Sequence, residues 1–402
     1  MRIGFVSRRF FPAISGMSIY AINLLRQLVA AGHDVTMLSQ YYGDPARAKV
    51  YGGGPPPSVP GVHVVGLEAL GEQAGGDFER DIAAMVAVIA AEHAATPFDI
   101  LHAQYGYPTG WATVLASQQL GVPCLVSIQG GDGHWVGSCC ETHRIAMERT
   151  LDHAGALLIG GASFAQEVHD RLGTPLDRFT IVPGAVDTDR FTPGPDLEGG
   201  PVRLFYHGRV DRRKGVLDML HALPHVAGDW RCTISGIGPD HAAAQALAAS
   251  LSLTDRVCFT GYADYADVPD LYRRHDVFVS PTYAEGFSNT ILEAMASRHA
   301  VLSCRAVGVV DCIRDGENGL LIDPGDIAAQ AAALSRLVTD AALRRRLGDA
   351  ALDECRRVYS WHAVGAQIRQ IYADLRGTPP AHGVDDRLPV TPCRFRAEPH
   401  LL

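Results

Sequence analysis

Two carboxylates bracket a short polar loop at Glu285-Gly286-Phe287-Ser288-Asn289-Thr290-Ile291-Leu292-Glu293, and a cationic pair, Arg209 and Lys214, lies upstream between Gly208 and Gly215. Carboxylates accept hydrogen bonds from hydroxyls, guanidinium and ammonium groups hold phosphate oxygens, and the amides at a helix N-terminus face anions. Together these residue types suit a sugar joined to a diphosphate. The chain has only two lysines, Lys49 and Lys214, and one of them falls in this motif. Arg209 offers a planar fork and Lys214 a point charge, whereas Arg212 and Arg213 read as solvent-facing. Ser288 or Asn289 is placed to cap the helix that follows, and Glu293, about one turn in, is placed to accept ribose hydroxyls. The spacing Thr290-x-x-Glu293 equally fits a capping box, and Glu285 equally fits an exposed loop acid.

Other motifs are weaker. Phe10-Phe11-Pro12-Ala13-Ile14-Ser15-Gly16-Met17-Ser18 runs from a strand into a helix. Gly16 there lets backbone approach an anion, or serves an ordinary tight turn. The spacing is not a dinucleotide fingerprint, which disfavours NAD. Leu101–Tyr107 and Ser127–Trp135 follow strands and offer His102, Gln129, Asp132 and His134 as acceptor-side candidates, although a lone histidine is more often structural.

The elements that must position these groups alternate. Strands are predicted at 3–7, 35–39, 62–67, 100–103 and 124–129, with helices at 17–31, 78–93 and 111–120 between them. A Gly/Pro-rich linker at 191–201 interrupts the pattern, which restarts with strands at 202–207, 230–235, 257–260, 276–280 and 301–303 and helices at 216–223, 241–251 and 290–297. Closing helices are expected at 327–347 and 361–375, and the segment 51–60 reads as a surface insertion. Such βαβ alternation predicts parallel sheets, with ligands at the carboxyl ends of the strands and a cleft between two α/β domains.

At 402 residues, 47% apolar and net charge −9, the chain fits a soluble two-domain protein without a nucleic-acid partner. No apolar run is long enough to span a membrane, and the N-terminus enters a strand pattern without a signal segment, so a cytoplasmic location is expected. Nine cysteines, an odd number at irregular spacings, read as free thiols. Cys139-Cys140 with His134 and His143 nearby matches no standard zinc spacing, so local packing is expected there and no metal.

In this order the motifs resemble the retaining nucleotide-sugar glycosyltransferases of family 4. The likeness takes in the Gly16 loop, Arg209 with Lys214, Ser235-Gly236-Ile237-Gly238-Pro239, Phe259-Thr260-Gly261, the Glu-x7-Glu element, Asp315-Gly316-Glu317-Asn318-Gly319-Leu320-Leu321 and Tyr359-Ser360-Trp361. The resemblance implies an α/β GT-B fold of two Rossmann-like doubly wound domains facing a central cleft. Residues 1–194 would form the acceptor-side domain and 201–358 the nucleotide-sugar domain. Residues 359–376 would be a crossover helix returning to the first domain, and 377–402 a mobile tail. It further implies that Arg209 and Lys214 bind the donor diphosphate and Glu293 the ribose. Glu285, with Gly286, Phe287, Ser288, Asn289 and Thr290, would hold the sugar and distal phosphate. Gly261 and Tyr262 would line the base, and Gly16 would approach the phosphates from the other domain.

Two departures bear on chemistry. Where many relatives carry His-Gly after a strand, this chain carries Gln129-Gly130, and Gln is no proton acceptor at neutral pH. His102 is then the alternative histidine, beside Glu285, Arg209 and Lys214 as catalytic candidates. The usual Gly-Gly after a later strand is Ala306-Val307-Gly308-Val309. The expected reaction moves a hexose-type sugar from a UDP- or GDP-sugar to a hydroxyl, with retention and without a required cofactor. The rivals are a nucleotide-sugar epimerase or a phosphorylase of the same fold and a non-catalytic sugar-nucleotide-binding subunit. The helix at 78–93 carries Glu79, Asp81 and Glu92 rather than a basic face. A small-molecule or oligosaccharide acceptor is therefore favoured, with peripheral membrane contact left open.

Overall fold

The inner strands of this chain, such as Ile100–Gln104, Cys124–Ile128, Val277–Ser280 and Ala300–Cys304, are short and buried on both faces, as parallel strands must be when helices cover both sides of a sheet. The computed structural model describes residues 1–13, 15–43, 53–195 and 199–399. Ile14, Lys49, the start of the 51–60 insertion, part of the 191–201 linker and the last three residues of the expected tail lie outside them. The chain divides into two compact units, Met1–Pro183 with Val364–Leu402, and Gly184–Ala363.

The first unit holds β1 (Arg2–Ser7), β2 (Asp34–Tyr41), β3 (Val62–Glu68), β4 (Ile100–Gln104), β5 (Cys124–Ile128), β6 (Ala156–Ile159) and β7 (Phe179–Ile181), in sheet order β3-β2-β1-β4-β5-β6-β7. The second holds β8 (Val202–His207), β9 (Trp230–Ser235), β10 (Val257–Gly261), β11 (Val277–Ser280), β12 (Ala300–Cys304) and β13 (Leu320–Ile322), in order β10-β9-β8-β11-β12-β13. Every pairing between these strands is parallel. Each sheet reverses its order once, between β1 and β4 and between β8 and β11, and loops at such a switch point diverge to leave a crevice. The core of the second unit gathers around Phe205, Trp230, Tyr272, Phe278 and Met295, all fully buried.

Several elements differ from the sequence expectation. β6, β7 and β13 have four, three and three residues, too few for a periodic signal. Helices Glu141–His153, Ala162–Leu172 and Val268–Arg273 were likewise not expected. The helix expected at 327–347 is two, Ile327–Thr339 and Ala341–Glu354. Asp340 breaks them, because its backbone is extended and its carboxylate accepts from the Leu343 amide at 2.9 Å. The unit boundary falls at Pro183–Gly184, before the expected linker, since Phe191 is already core to the second unit and meets Tyr272 edge-on at 5.7 Å.

The last segment is not a free tail. Ala381 N donates to Ser117 Oγ (3.0 Å), Val384 N to Gln118 Oε1 (2.6 Å) and Thr391 N to Thr142 Oγ1 (2.9 Å). Arg396 Nη1 donates to Glu79 Oε2 at 2.8 Å. Helix Trp361–Leu375 belongs to the first unit from Val364 on, where Tyr372 is fully buried. Among the described residues no helix is long and apolar enough to cross a membrane.

Candidate active site

The second unit's switch point gathers the strongest sequence motif. β8 ends at His207 and leads into the Arg209–Gly215 loop, and β11 ends at Ser280 and leads into the Glu285 loop. Three links join the loops. Lys214 Nζ lies 2.6 Å from Glu285 Oε1. Tyr283 N donates to Arg213 O at 3.0 Å. Gly215, at φ +70°, lies so close to Pro281 that a Cβ would fall 2.0 Å from the Pro281 carbonyl oxygen. Only glycine combines that φ with that approach.

The pair Lys214–Glu285 keeps part of each side chain in solvent, 33% and 17%. It is thus reachable by a ligand that replaces the ion pair with phosphate on the lysine and hydroxyls on the carboxylate. Glu285 is held from behind, its amide donating to Val307 O at 3.0 Å. Gly308, at φ +76°, packs so closely that a Cβ would lie 2.2 Å from the Glu285 carbonyl. The Ala306-Val307-Gly308-Val309 segment therefore buttresses Glu285, with its glycine at the point of contact.

Arg209 Nε lies 3.5 Å from Asp211 Oδ2, and Tyr206 Oη donates to the Arg209 carbonyl at 2.6 Å. Asp211 is also gripped by Arg213. Burial would raise the Asp211 pKa, but the Arg213 hydrogen bonds and neighbouring positive charge outweigh it and lower it to about 2. Arg212 pairs with Asp240, and the Arg212 and Arg213 side chains are 73% and 59% exposed, as the sequence suggested. Behind the loop, Gly208, Gly236 and Gly261 close up at the ends of β8, β9 and β10. A Cβ on Gly236 would sit 1.8 Å from Gly208 O, and Gly236 N donates to Gly261 O at 2.7 Å. Tyr262, next to them, is exposed.

The helix after the Glu285 loop runs Asn289–Ala296, with Ser288 at its N-cap. Ser288 makes no side-chain cap; its Oγ pairs with Thr290 Oγ1 at 3.2 Å. The expected capping by Ser288 is thus not formed. Nor is the capping box, because Glu293 turns inward, where its Oε2 accepts from Tyr272 Oη at 3.1 Å. Burial pushes the Glu293 carboxyl up to about 8, against the opposing pull of Tyr272 and the Arg190 charge. Tyr272 and Arg190 were not singled out in the sequence. Gly286, Phe287 and Asn289 lie on the same loop and helix start, and Phe287 rests against Gly184 and Tyr359.

The first-unit candidates fare differently. His102 is fully buried in β4, with Nδ1 2.5 Å from Tyr372 Oη, Nε2 2.7 Å from Ser127 Oγ and its ring edge-on to Phe5. Burial lowers its pKa to about 3, so it packs the core as a neutral imidazole with both ring nitrogens engaged within the first unit. Asp132 is also fully buried and accepts from the amides of Gly106 (2.8 Å), Gly130 (2.9 Å) and Gln129 (3.1 Å), a clamp on the loops after β4 and β5. Burial lifts it to about 6 despite those amides. His134 is buried with Nδ1 2.8 Å from Glu167 Oε2. The causes differ: His102 lies within β4, every residue of which is buried, whereas Asp132 and His134 lie in the short helical turn Asp132–Val136, which folds the loop after β5 back into the unit. Gln129 alone stays half-buried, its Oε1 accepting from Gln104 Nε2 at 2.9 Å. Gly16 opens helix Gly16–Ala30, whose Ser18 amide is capped by Ser15 Oγ at 3.3 Å.

Two Rossmann-like units, one with a cationic loop and an acidic loop meeting at its switch point, define a doubly wound α/β protein of two units, and comparison with known proteins narrows the class. Residues 187–353 match the model for glycosyl transferases group 1, and residues 15–185 match the glycosyl transferase 4-like domain. The D-inositol 3-phosphate glycosyltransferase of Stackebrandtia nassauensis is 28% identical over 398 residues, 89% of this chain and 86% of that protein. A glycogen synthase of Mycobacterium tuberculosis is 25% identical over 403 residues, 92% of this chain and 94% of the relative. Among solved structures, sucrose-phosphate synthase from Thermosynechococcus elongatus matches with a TM-score of 0.78 at 24% identity, over 93% of this chain and 98% of that one. Anabaena HepE, determined in complex with UDP and glucose, matches at 0.74 and 17% identity, over 93% and 100% of the two chains. The chain belongs to the group 1, family 4-like glycosyltransferases and has the GT-B fold.

Proposed function

We propose that this chain moves a hexose-type sugar from a nucleoside diphosphate sugar, UDP- or GDP-linked, to a hydroxyl of a small-molecule or oligosaccharide acceptor, with retention at the anomeric carbon. The observation that carries the reading is the Lys214–Glu285 pair at 2.6 Å, solvent-reachable and poised at the switch point. Arg209 and Lys214 take the diphosphate, whose charge grows as the glycosidic bond breaks. Fixed cations there stabilise the transition state more than the ground state. The amides opening helix Asn289–Ala296 add to this, and Glu293 receives the ribose hydroxyls.

Glu285 and the backbone at Gly286–Thr290 hold the sugar, and Gly261 with Tyr262 lines the base. The transition state is oxocarbenium-like. The departing phosphate takes the acceptor proton on the same face, so no protein nucleophile and no histidine base is needed. These cations also make a catalytic metal unnecessary. The relatives named as acting on inositol phosphate, and HepE with bound UDP, support a phosphorylated or polyol acceptor and a UDP donor.

Calorimetry with UDP, GDP and ADP tests the donor site, and NMR of slow donor hydrolysis tests the stereochemistry. One nucleotide binds, and Lys214→Ala weakens it at least tenfold and cuts kcat/KM by about 10²-fold. The first-formed sugar has the donor's anomeric configuration. Absence of binding by every nucleotide overturns the reading.

A further inference from the structure

Cys139, Cys140 and His143 meet Cys393 from the far end of the chain, and the four donor atoms all lie within 4.8 Å of one another. We propose that these residues bind one zinc ion as a structural site that fastens the C-terminal segment to the first unit.

The ligand set is Cys₃His, three soft sulfurs and an imidazole, which selects zinc among the common divalent ions. Four protein ligands fill a tetrahedron and leave no open position, so the site is structural rather than catalytic. Zn–S bonds of about 2.3 Å and a Zn–N bond of about 2.0 Å place donors roughly 3.5–3.8 Å apart. Cys393 Sγ and His143 Nδ1 stand 4.0 Å apart. The cluster therefore needs to contract by about an ångström at its widest to enclose the ion.

Its parts are held independently of any metal. Cys140 is the N-cap of helix Glu141–His153, where the first amides favour an anionic sulfur, and His143 lies on the first turn of that helix. Cys393 is the N-cap of Arg394–Ala397. Thr391 and Thr142 exchange amide-to-hydroxyl bonds at 2.9 and 3.3 Å just beside it. Phe395 packs on the His143 ring, and Arg396, paired with Glu79, supplies positive charge next to the thiolates.

His143 is fully buried, yet among the described residues its Nε2 has no hydrogen-bond partner and its Nδ1 has only the Cys393 sulfur. A buried imidazole so poorly engaged by the protein leaves a lone pair for a metal. Spacing alone hid the site, because its fourth ligand lies 250 residues from His143.

The test uses the full chain without an affinity tag, produced in zinc-supplemented medium and dialysed against metal-free buffer. Elemental mass spectrometry is expected to find about one zinc per chain. Cobalt(II) exchanged into the site is expected to show the intense visible bands and sulfur-to-cobalt charge transfer of a tetrahedral thiolate complex. Cys393→Ser lowers retained zinc at least tenfold, while Cys258→Ser, at an exposed cysteine elsewhere, leaves it unchanged. Cys393→His restores zinc with weaker charge transfer, which separates ligand loss from misfolding. Less than a tenth of an equivalent in the wild type, a mass two hydrogens short from a disulfide among these cysteines, or full zinc in Cys393→Ser overturns the proposal.

Discussion

The carboxyl of Glu293 is buried against Tyr272, which offers one hydroxyl proton to both Glu293 Oε2 and Thr290 O. Its pKa is raised from 4.5 to about 8, so the folded state holds a proton that the unfolded chain releases near 4.5. The sign follows from linkage. The folded state's advantage from this proton is fully present below about 4.5 and is lost as pH rises through about 8. Melting temperature measured from pH 4.5 to 9 is therefore expected to fall for the wild type relative to Glu293→Gln. The gap corresponds to on the order of 5 kcal/mol across the window. If ribose hydroxyls bind the ionised carboxylate, nucleotide affinity rises over the same window, and Glu293→Gln flattens that rise.

At the scale of elements, the candidate site depends on glycines that let loops touch. A Cβ on Gly308 meets the Glu285 carbonyl at 2.2 Å, whereas a Cβ on Gly261, at φ +71°, meets nothing within 4 Å. Gly308→Ala is expected to cost about 1–3 kcal/mol and to weaken nucleotide-sugar binding at least tenfold, by pushing Glu285 away from Lys214. Gly261→Ala costs only the backbone term, about 1 kcal/mol. Chemical denaturation with calorimetry on both variants separates the two effects. Asp340→Ala, which removes the cap of helix Ala341–Glu354, costs about 1 kcal/mol and leaves binding unchanged.

The strands that carry the site were legible because Leu204-Phe205-Tyr206 and Val277-Phe278-Val279 are short apolar runs that give way to polar, glycine-containing loops. The Arg209, Lys214 and Glu285 motifs were legible because their residue types have few other uses at strand ends. The burial of His102, Asp132 and Glu293 was not legible. It depends on Tyr372, on the Gly106 amide of another loop, and on Tyr272, partners between 21 and 270 residues away and set by packing rather than by local pattern.

At the scale of the molecule, the end of the chain is part of the first unit's structure. Ser117, Gln118, Thr142 and Glu79 all bond to residues beyond Gly377. Truncation after Thr378 leaves those groups unpaired and uncovers the apolar surface beneath Phe395, which is buried in the full chain. The truncated protein is expected to melt several degrees lower, with the loss confined to the first unit. Hydrogen exchange checks this. Faster exchange in helix Glu141–His153 and unchanged exchange in β8–β13 is the expected pattern.

The first unit is discontinuous in sequence and the second is not. A ribosome therefore releases Gly184–Ala363 as a complete folding unit while the first still lacks its closing helix. Until Tyr372 emerges, His102 has no Nδ1 partner, and the β4 side of the first sheet stays unfinished. The first unit is the last to be completed, so a stalled or prematurely terminated chain leaves a folded second unit tethered to an open first one. Such nascent chains are the form most exposed to proteases and chaperones.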